Sequence, residues 1–303
     1  MGGARIQASC SAEKFRPQLC ETLAPSSWGV GARAVFTAIL CSVMTDPISR
    51  TSGQTPPSFL SEDRPITAIR NDKSVTIFVP ALNEAQKIGA TISELVPVAE
   101  KCLDDFEILI FDDGSTDGTG EIADGLAKTL GKIRVIHNPV RCGLAVNFRA
   151  AIAQARCPYI TVVPGDGAFR IDGIATLLDA TGKADMVLSY RTNQWETRSW
   201  VRCIIAKSLR IVANCLYGLK LRDVDSPAVF PVAALRKLNL VAANNGFFLE
   251  IVVKMRRLPL TFVIVRMALN PEDHVFGRSL LEFRSVSDVL RIIIHLLRPT
   301  HHR

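Results

Sequence analysis

The chain has 303 residues, 48% hydrophobic and 21% charged, a globular balance with ample material for a core. Thirty-six basic against 29 acidic residues leave a formal net charge of +7, which favours anionic partners: phosphorylated ligands, an acidic membrane surface or nucleic acid. Nucleic acid is set aside, because the basic residues are scattered and neither zinc-finger spacing nor an aromatic-basic RNA signature occurs.

Residues 1 to 70 mix Pro, Ser, Thr and Gly without lasting periodicity and read as a disordered or loosely packed extension. Its most apolar stretch, Ala34 to Met44, falls short of the roughly 18 to 20 residues of a membrane helix. It also starts too far from Met1 for an ordinary signal peptide, and Met44 is a second candidate start. From Val75 the pattern alternates. Val75 to Val79 is a β-branched run closed by Pro80, and Ala85 to Glu100 follows with helical spacing of Ile88, Ile92 and Leu95. Phe106 to Phe111 is a second strand, and the acidic stretch that ends it, Phe111 to Thr119 (FDDGSTDGT), leads into a helical pattern from Glu121. Ile133 to His137, Tyr159 to Val163 and Asp185 to Tyr190 are further strands. Leu144 to Ala155 and Ile171 to Ala180 are the helices between them. Such alternation implies right-handed crossovers and a mostly parallel sheet in an α/β fold, with ligands at the carboxyl ends of the strands.

After Arg191 the character changes. Trp200 to Tyr217 has the pattern of a long amphipathic helix, and Asp223 to Pro231 that of an acidic turn entering a short strand. Gly246 to Arg257 reads as helix and Leu260 to Met267 as strand. Val286 to Leu297 is a closing amphipathic helix that either packs on the domain or lies on a membrane surface. The eight cysteines never fall as C-x-x-C and read as reduced thiols of a cytosolic protein.

Three strand ends carry polar clusters: Asn83 and Glu84 after the first, Asp112 and Asp113 after the second, and Asp166 between Gly165 and Gly167 after the fourth. Turn and capping chemistry accounts for Ser115, Thr116 and Asp117. It accounts less well for the Asp112-Asp113 pair, since adjacent like charges repel unless donors or a cation lie between them. Carboxylates at three ends of one sheet point to a shared pocket. Facing phosphates, Asp166 requires a bridging divalent metal, and Mg²⁺ or Mn²⁺ suits oxygen ligands.

In order and spacing, VPALNEAQKI, FDDGSTDGT, RCGLAVNFRAAIAQA and VVPGDGAF resemble family 2 glycosyltransferases of the GT-A fold, in the dolichol- or polyprenyl-phosphate sugar transferase branch. The resemblance spans Val75 to Ser279. It implies one GT-A domain over 71–303, with a nucleotide-sugar half (71–191), an acceptor-side half (192–285) and a C-terminal helix (286–303). It implies transfer with inversion from a nucleoside diphosphate sugar, UDP- or GDP-linked, to a polyprenyl-phosphate or glycan acceptor. Cytoplasmic placement, with peripheral contact at the inner face of the membrane, goes with such an acceptor. By the same resemblance Pro80, Asn83, Glu84 and Asp113 line the nucleotide pocket, Asp166 is the last Asp of the D-x-D metal motif, and Arg191 lies near the diphosphate. Asp225 and Glu250 match acceptor-side positions, and with a hydroxyl acceptor Asp225, then Glu250, is the candidate base. Three positions depart from the pattern. Pro164 replaces the first Asp of D-x-D, and the distal R-x-x-G-x-S-K reads His274 to Leu280, with His for Arg and Leu for Lys. Arg278 within that loop is a candidate replacement clamp on the diphosphate, with His274 adding charge at lower pH. These losses motivate the alternative of a GT-A module that binds nucleotide without transfer.

Overall fold

The computed structural model describes residues 72–193, 210, 214, 222–223, 226–242 and 247–270. The extension at 1–70, the helix expected at 200–217 except for Arg210 and Asn214, which are helical, the helix expected at 286–297, and the candidate residues Asp225, His274 and Arg278 lie outside the described residues.

Seven strands and six helices follow one another: β1 (Ser74–Ala81), α1 (Ile88–Cys102), β2 (Asp105–Asp112), α2 (Thr119–Thr129), β3 (Ile133–His137), α3 (Leu144–Gln154), β4 (Tyr159–Val162), α4 (Ile171–Asp179), β5 (Met186–Arg191), β6 (Phe230–Pro231), α5 (Val232–Lys237), α6 (Phe247–Arg256) and β7 (Phe262–Met267). The main sheet runs β3-β2-β1-β4-β6, parallel except for β6. That is the mostly parallel α/β sheet the alternation implies. The fifth expected strand forms but does not join β4. β6 takes that edge, antiparallel to β4, while β5 pairs with β7 in parallel. Mutual amide bonds of Val187 and Val229 join β5 to the segment entering β6.

Both faces of the sheet are covered, which explains why its strands read as nearly unbroken apolar runs. Side chains alternate along a strand. Val75, Ile77 and Val79 of β1 and Ile108 and Ile110 of β2 therefore join a core with α1 and α4, while Phe78, Leu109 and Phe111 join a second core with α3, α5 and α6. Helix α1 starts three residues later than its apolar spacing implies. Asn83 adopts left-handed backbone (φ 57°), and a turn follows in which Glu84 O accepts from the amides of Lys87 and Ile88.

Phe148 of α3 is fully enclosed and meets Phe78, Phe247 and Phe248 with ring centroids 5.3 to 5.8 Å apart. It ties the first strand to α6, so Phe148→Ala is expected to cost about 3–5 kcal/mol in urea unfolding, through lost contacts and a residual cavity. A loss under about 1 kcal/mol would mean that α6 does not depend on this contact.

Candidate active site at the sheet edge

The parallel register aligns the carboxyl ends of β1, β2 and β4 on one edge. Asp113 N donates to Ala81 O (2.9 Å), Val163 N to Phe78 O (2.9 Å) and Gly165 N to Pro80 O (3.1 Å). Pro80, Asn83, Glu84, Asp113 and Asp166 are thus brought to one rim.

Alternation resolves the adjacent aspartates, because it sends them to opposite faces. Asp112 turns to the α2 side, where Oδ1 accepts from Ser115 N (3.0 Å) and Oδ2 meets His137 Nδ1 (3.0 Å). The other ring nitrogen of His137 meets Asp124 Oδ1 at 3.1 Å. Bonds to Asp112 and then Asp124 raise the His137 pKa above its ordinary value. Burial opposes the Asp112 charge, but the bonds from Ser115 and His137 outweigh it and hold its carboxyl below the usual range. Gly120 is required beside this pair: a Cβ there would lie 2.8 Å from Asp112 Oδ2 and 3.2 Å from the imidazole.

Asp113 turns the other way, into the loop after β3. Its Oδ1 accepts from Asn138 Nδ2 (2.9 Å) and Cys142 N (2.8 Å), and its Oδ2 from Gly143 N (2.9 Å). Asn138 also donates to Asn147 Oδ1 of α3 at 2.8 Å. Burial works against this carboxylate too, yet the neighbouring Asn147 amide and the hydrogen bonds from Cys142, Asn138 and Gly143 prevail and lower its pKa. The loop lies so close that Gly114, at φ 77°, has room for no Cβ: one would sit 3.0 Å from Arg141 N.

Ser115, Thr116 and Asp117 join the β2 loop to the β1 loop. Asn83 N donates to Ser115 Oγ (3.0 Å), Thr116 N to Asn83 Oδ1 (2.9 Å), Glu84 N to Thr119 Oγ1 (2.8 Å) and Ala85 N to Asp117 Oδ2 (3.1 Å). The turn reading of these polar residues therefore holds, with partners from across the rim.

Asp166 differs from the other carboxylates. Its Oδ1 accepts from Ala168 N (3.0 Å), while Oδ2 takes no hydrogen bond from the described residues. It borders a cleft between the first turns of α1 and α4, with Lys87, Thr91, Phe169, Ile174 and Asn270 in the walls. Among the described residues no group of three or more His, Cys, Asp or Glu side chains could hold a metal alone. One carboxylate nevertheless fits a Mg²⁺-like ion, which is commonly held by one or two carboxylates plus substrate phosphates.

Two candidates are engaged elsewhere. Arg191 forms a bidentate ion pair with Asp223, Nε to Oδ2 and Nη2 to Oδ1 both at 2.7 Å, and the two side chains are 2% and 5% exposed. Its guanidinium is therefore aimed at Asp223 rather than at an open diphosphate site. Sequence reasoning singled out Asp225 in the same RDVDS segment and passed over Asp223. Glu250 of α6 is fully enclosed and accepts from Val241 N, Ala242 N (2.8 Å) and Lys254 Nζ (2.6 Å). Arg149 of α3 holds the same segment through Leu240 O (3.2 Å) and Ala242 O. Glu250 thus positions the 239–242 loop, and as an enclosed acceptor of three donors it is corrected from candidate base to loop anchor. Asn138 and His137 carry no motif of their own, and Asn147 lies within the RCGLAVNFRAAIAQA motif without having been singled out. The Asn-Pro step after a strand end was the available signal for Asn138.

Asp113→Ala removes the acceptor of three part-buried N–H donors, so it is expected to cost about 1 kcal/mol in urea unfolding and to weaken nucleotide binding. Unchanged stability would mean that the 138–143 loop holds itself. A folded-state pKa raised above the ordinary 6.5 stabilises fully below that value and ceases to do so as pH rises through the raised value. The stability deficit of His137→Gln should therefore be largest near pH 5 to 6 and shrink on the alkaline side. A deficit independent of pH would show that the imidazolium charge is not what matters.

The family model for glycosyl transferase family 2 matches residues 76–238. Polyprenol monophosphomannose synthase of Mycolicibacterium smegmatis is 23% identical over 235 residues, covering 73% of this chain and 86% of its own. Undecaprenyl-phosphate mannosyltransferase of Micrococcus luteus is 25% identical over 207 residues, covering 62% and 83%. These relatives carry the names of the branch that the motifs resemble. Among solved structures, glucosyl-3-phosphoglycerate synthase of Mycobacterium tuberculosis in complex with UDP superposes with a TM-score of 0.56 at 20% identity, covering 81% of this chain and 87% of its own. The same enzyme with Mn²⁺, UDP and glucosyl-3-phosphoglycerate gives 0.53 at 20% identity, covering 79% and 86%. With motifs, sheet order and family model in agreement over most of the described residues, the chain belongs to glycosyl transferase family 2 and is a glycosyltransferase of the GT-A fold.

Proposed function

We propose that this glycosyltransferase moves a sugar, with inversion, from a nucleoside diphosphate sugar to the phosphate of a polyprenyl lipid. The observation that carries the reading is Asp166, whose Oδ2 takes no hydrogen bond from the described residues, on the rim that also holds the Asp113-bound loop. The nucleoside lies against Pro80, Asn83 and the 138–143 loop, and its diphosphate reaches toward Asp166. A divalent Mg²⁺ or Mn²⁺ on Asp166 supplies positive charge for the departing diphosphate. Support comes from the structural neighbours, crystallised in complex with UDP and Mn²⁺ or Mg²⁺.

The enclosed state of Glu250 takes one of the two candidate bases out of play, which agrees with a phosphate acceptor. An acceptor hydroxyl would require a base within hydrogen-bond reach, whereas a lipid phosphate is already an anion and attacks without one. The names of the two bacterial relatives, a polyprenol monophosphomannose synthase and an undecaprenyl-phosphate mannosyltransferase, agree with that choice. Among the described residues no helix is long and apolar enough to cross a membrane. In this reading the lipid is met at the cytoplasmic surface, to which the net charge of +7 would attract the chain.

In an assay pairing UDP- and GDP-sugars with a polyprenyl phosphate and Mn²⁺, Asp166→Asn is expected to lower kcat on the order of 10²-fold with the fold intact. NMR of the product should give an anomeric configuration opposite to that of the donor. Full activity of Asp166→Asn, or retention of configuration, would sink the proposal.

A further inference from the structure

On the β5–β7 pair, away from the Asp166 rim, two arginines from different segments converge on one neutral oxygen. Tyr190 and Arg266 are register partners at the carboxyl ends of these parallel strands and so share a face. Arg266 Nε donates to the Tyr190 hydroxyl oxygen at 2.9 Å, and Arg222 Nη1 donates to the same oxygen at 3.0 Å. The Arg222 guanidinium also lies over the Tyr190 ring, 4.9 Å from its centroid. Both arginines are exposed, and neither has a carboxylate within ion-pair distance among the described residues. The adjacent Asp223 directs both carboxylate oxygens to Arg191. Arg210 adds a third positive charge nearby, with Nη1 on Arg222 O at 2.6 Å.

Like charges drawn to one point repel, and a neutral phenol oxygen offsets little of that. Each guanidinium has five N–H donors and commits one here to the phenol, so most of its fork is open. We propose that Arg222 and Arg266, set by Tyr190, form a phosphate-binding site outside the nucleotide pocket, taking a phosphate monoester between the two guanidinium planes. Paired N–H donors match phosphate oxygens in geometry, and a dianion removes the repulsion between the arginines. The position suits an acceptor. Two residues beyond Arg266, Ala268 O accepts from Arg170 N (3.0 Å), and Asn270 N donates to Ala168 O (2.9 Å), so the strand leads directly to the Asp166 loop. The identification of the monoester with the head of the acceptor lipid rests on the function proposed above; the anion site itself does not.

Calorimetric titration of the full chain with inorganic phosphate, farnesyl phosphate and farnesol tests this, first without nucleotide and then with saturating UDP. The wild type should bind both phosphates, with and without UDP, and the R222Q/R266Q double variant should bind both about tenfold or more weakly while UDP affinity is unchanged. If the double variant is unstable, Arg266→Gln alone, at an exposed strand end, carries the same expectation. Farnesyl phosphate binding more tightly than inorganic phosphate identifies the lipid as the source, and equal binding identifies free phosphate. Because phosphate is titrated alone first, the result reads this site whether or not the nucleotide-sugar reading holds. Equal phosphate affinity in wild type and variants, or complete displacement of phosphate by UDP, would overturn the site.

Discussion

The end of β2 sets the terms for the rest of the rim. Two carboxylates in succession face opposite sides of the sheet, and each is charged only because donors converge on it: Ser115 and the His137 ring on one side, Asn138, Cys142 and Gly143 on the other. Loops at strand ends have no ladder to satisfy their amides, and a buried amide without an acceptor is costly. Asp113 serves three donors of a loop that would otherwise have no partner in the sheet. The packing of that loop against Gly114, and the place of α3 behind it, follow from this one carboxylate.

A similar device recurs from the end of β5 onward, where the described chain has less regular structure. Arg191 with Asp223, and Glu250 with Lys254 and the amides of 241–242, are ionic contacts within a mostly apolar layer. Such pairs add little net stability once desolvation is counted, while losing one partner is expensive. Their effect here is registration. Arg191 joins the end of β5 to the segment entering β6, and Glu250 and Arg149 hold the 239–242 loop from α6 and α3. Insertion of antiparallel β6 between β4 and β5 needs both, because a two-residue strand has too few ladder bonds to hold its own position.

Charge is distributed by role. Asp112, Asp113 and Glu250 collect donors and organise loops, whereas Asp166 Oδ2 takes no hydrogen bond from the described residues. Among the cations, Arg134 and Lys254 are partnered by Glu107 and Glu250, whereas the side chains of Arg222 and Arg266 meet, among the described residues, the Tyr190 phenol and no carboxylate. Where opposite charges could have been matched and were not, a ligand of opposite charge is the natural complement.

The sequence by itself did not show the short helix α5, but it determined the alternating strands and helices from β1 to β5, with α6 and β7, and the rim on which polar groups gather. These depend on local signals, apolar periodicity and turn residues, that are complete within some ten residues of chain. It also carried the four motifs that identify the family. The tertiary structure alone decided which polar residues are available. Asp113, Asp166, Arg191 and Glu250 look alike as charged residues after or within apolar segments, and only contacts from residues 25 or more positions away, or from a loop eight or nine positions back in the case of Glu250, separate the anchors from the uncommitted Asp166. The position of β6, the choice of Asp223 as the partner of Arg191, and the meeting of Arg222 with Arg266 on Tyr190 have the same origin. Burial and hydrogen-bond saturation are properties of a folded neighbourhood, and no spacing within one segment encodes what the distant segment will supply.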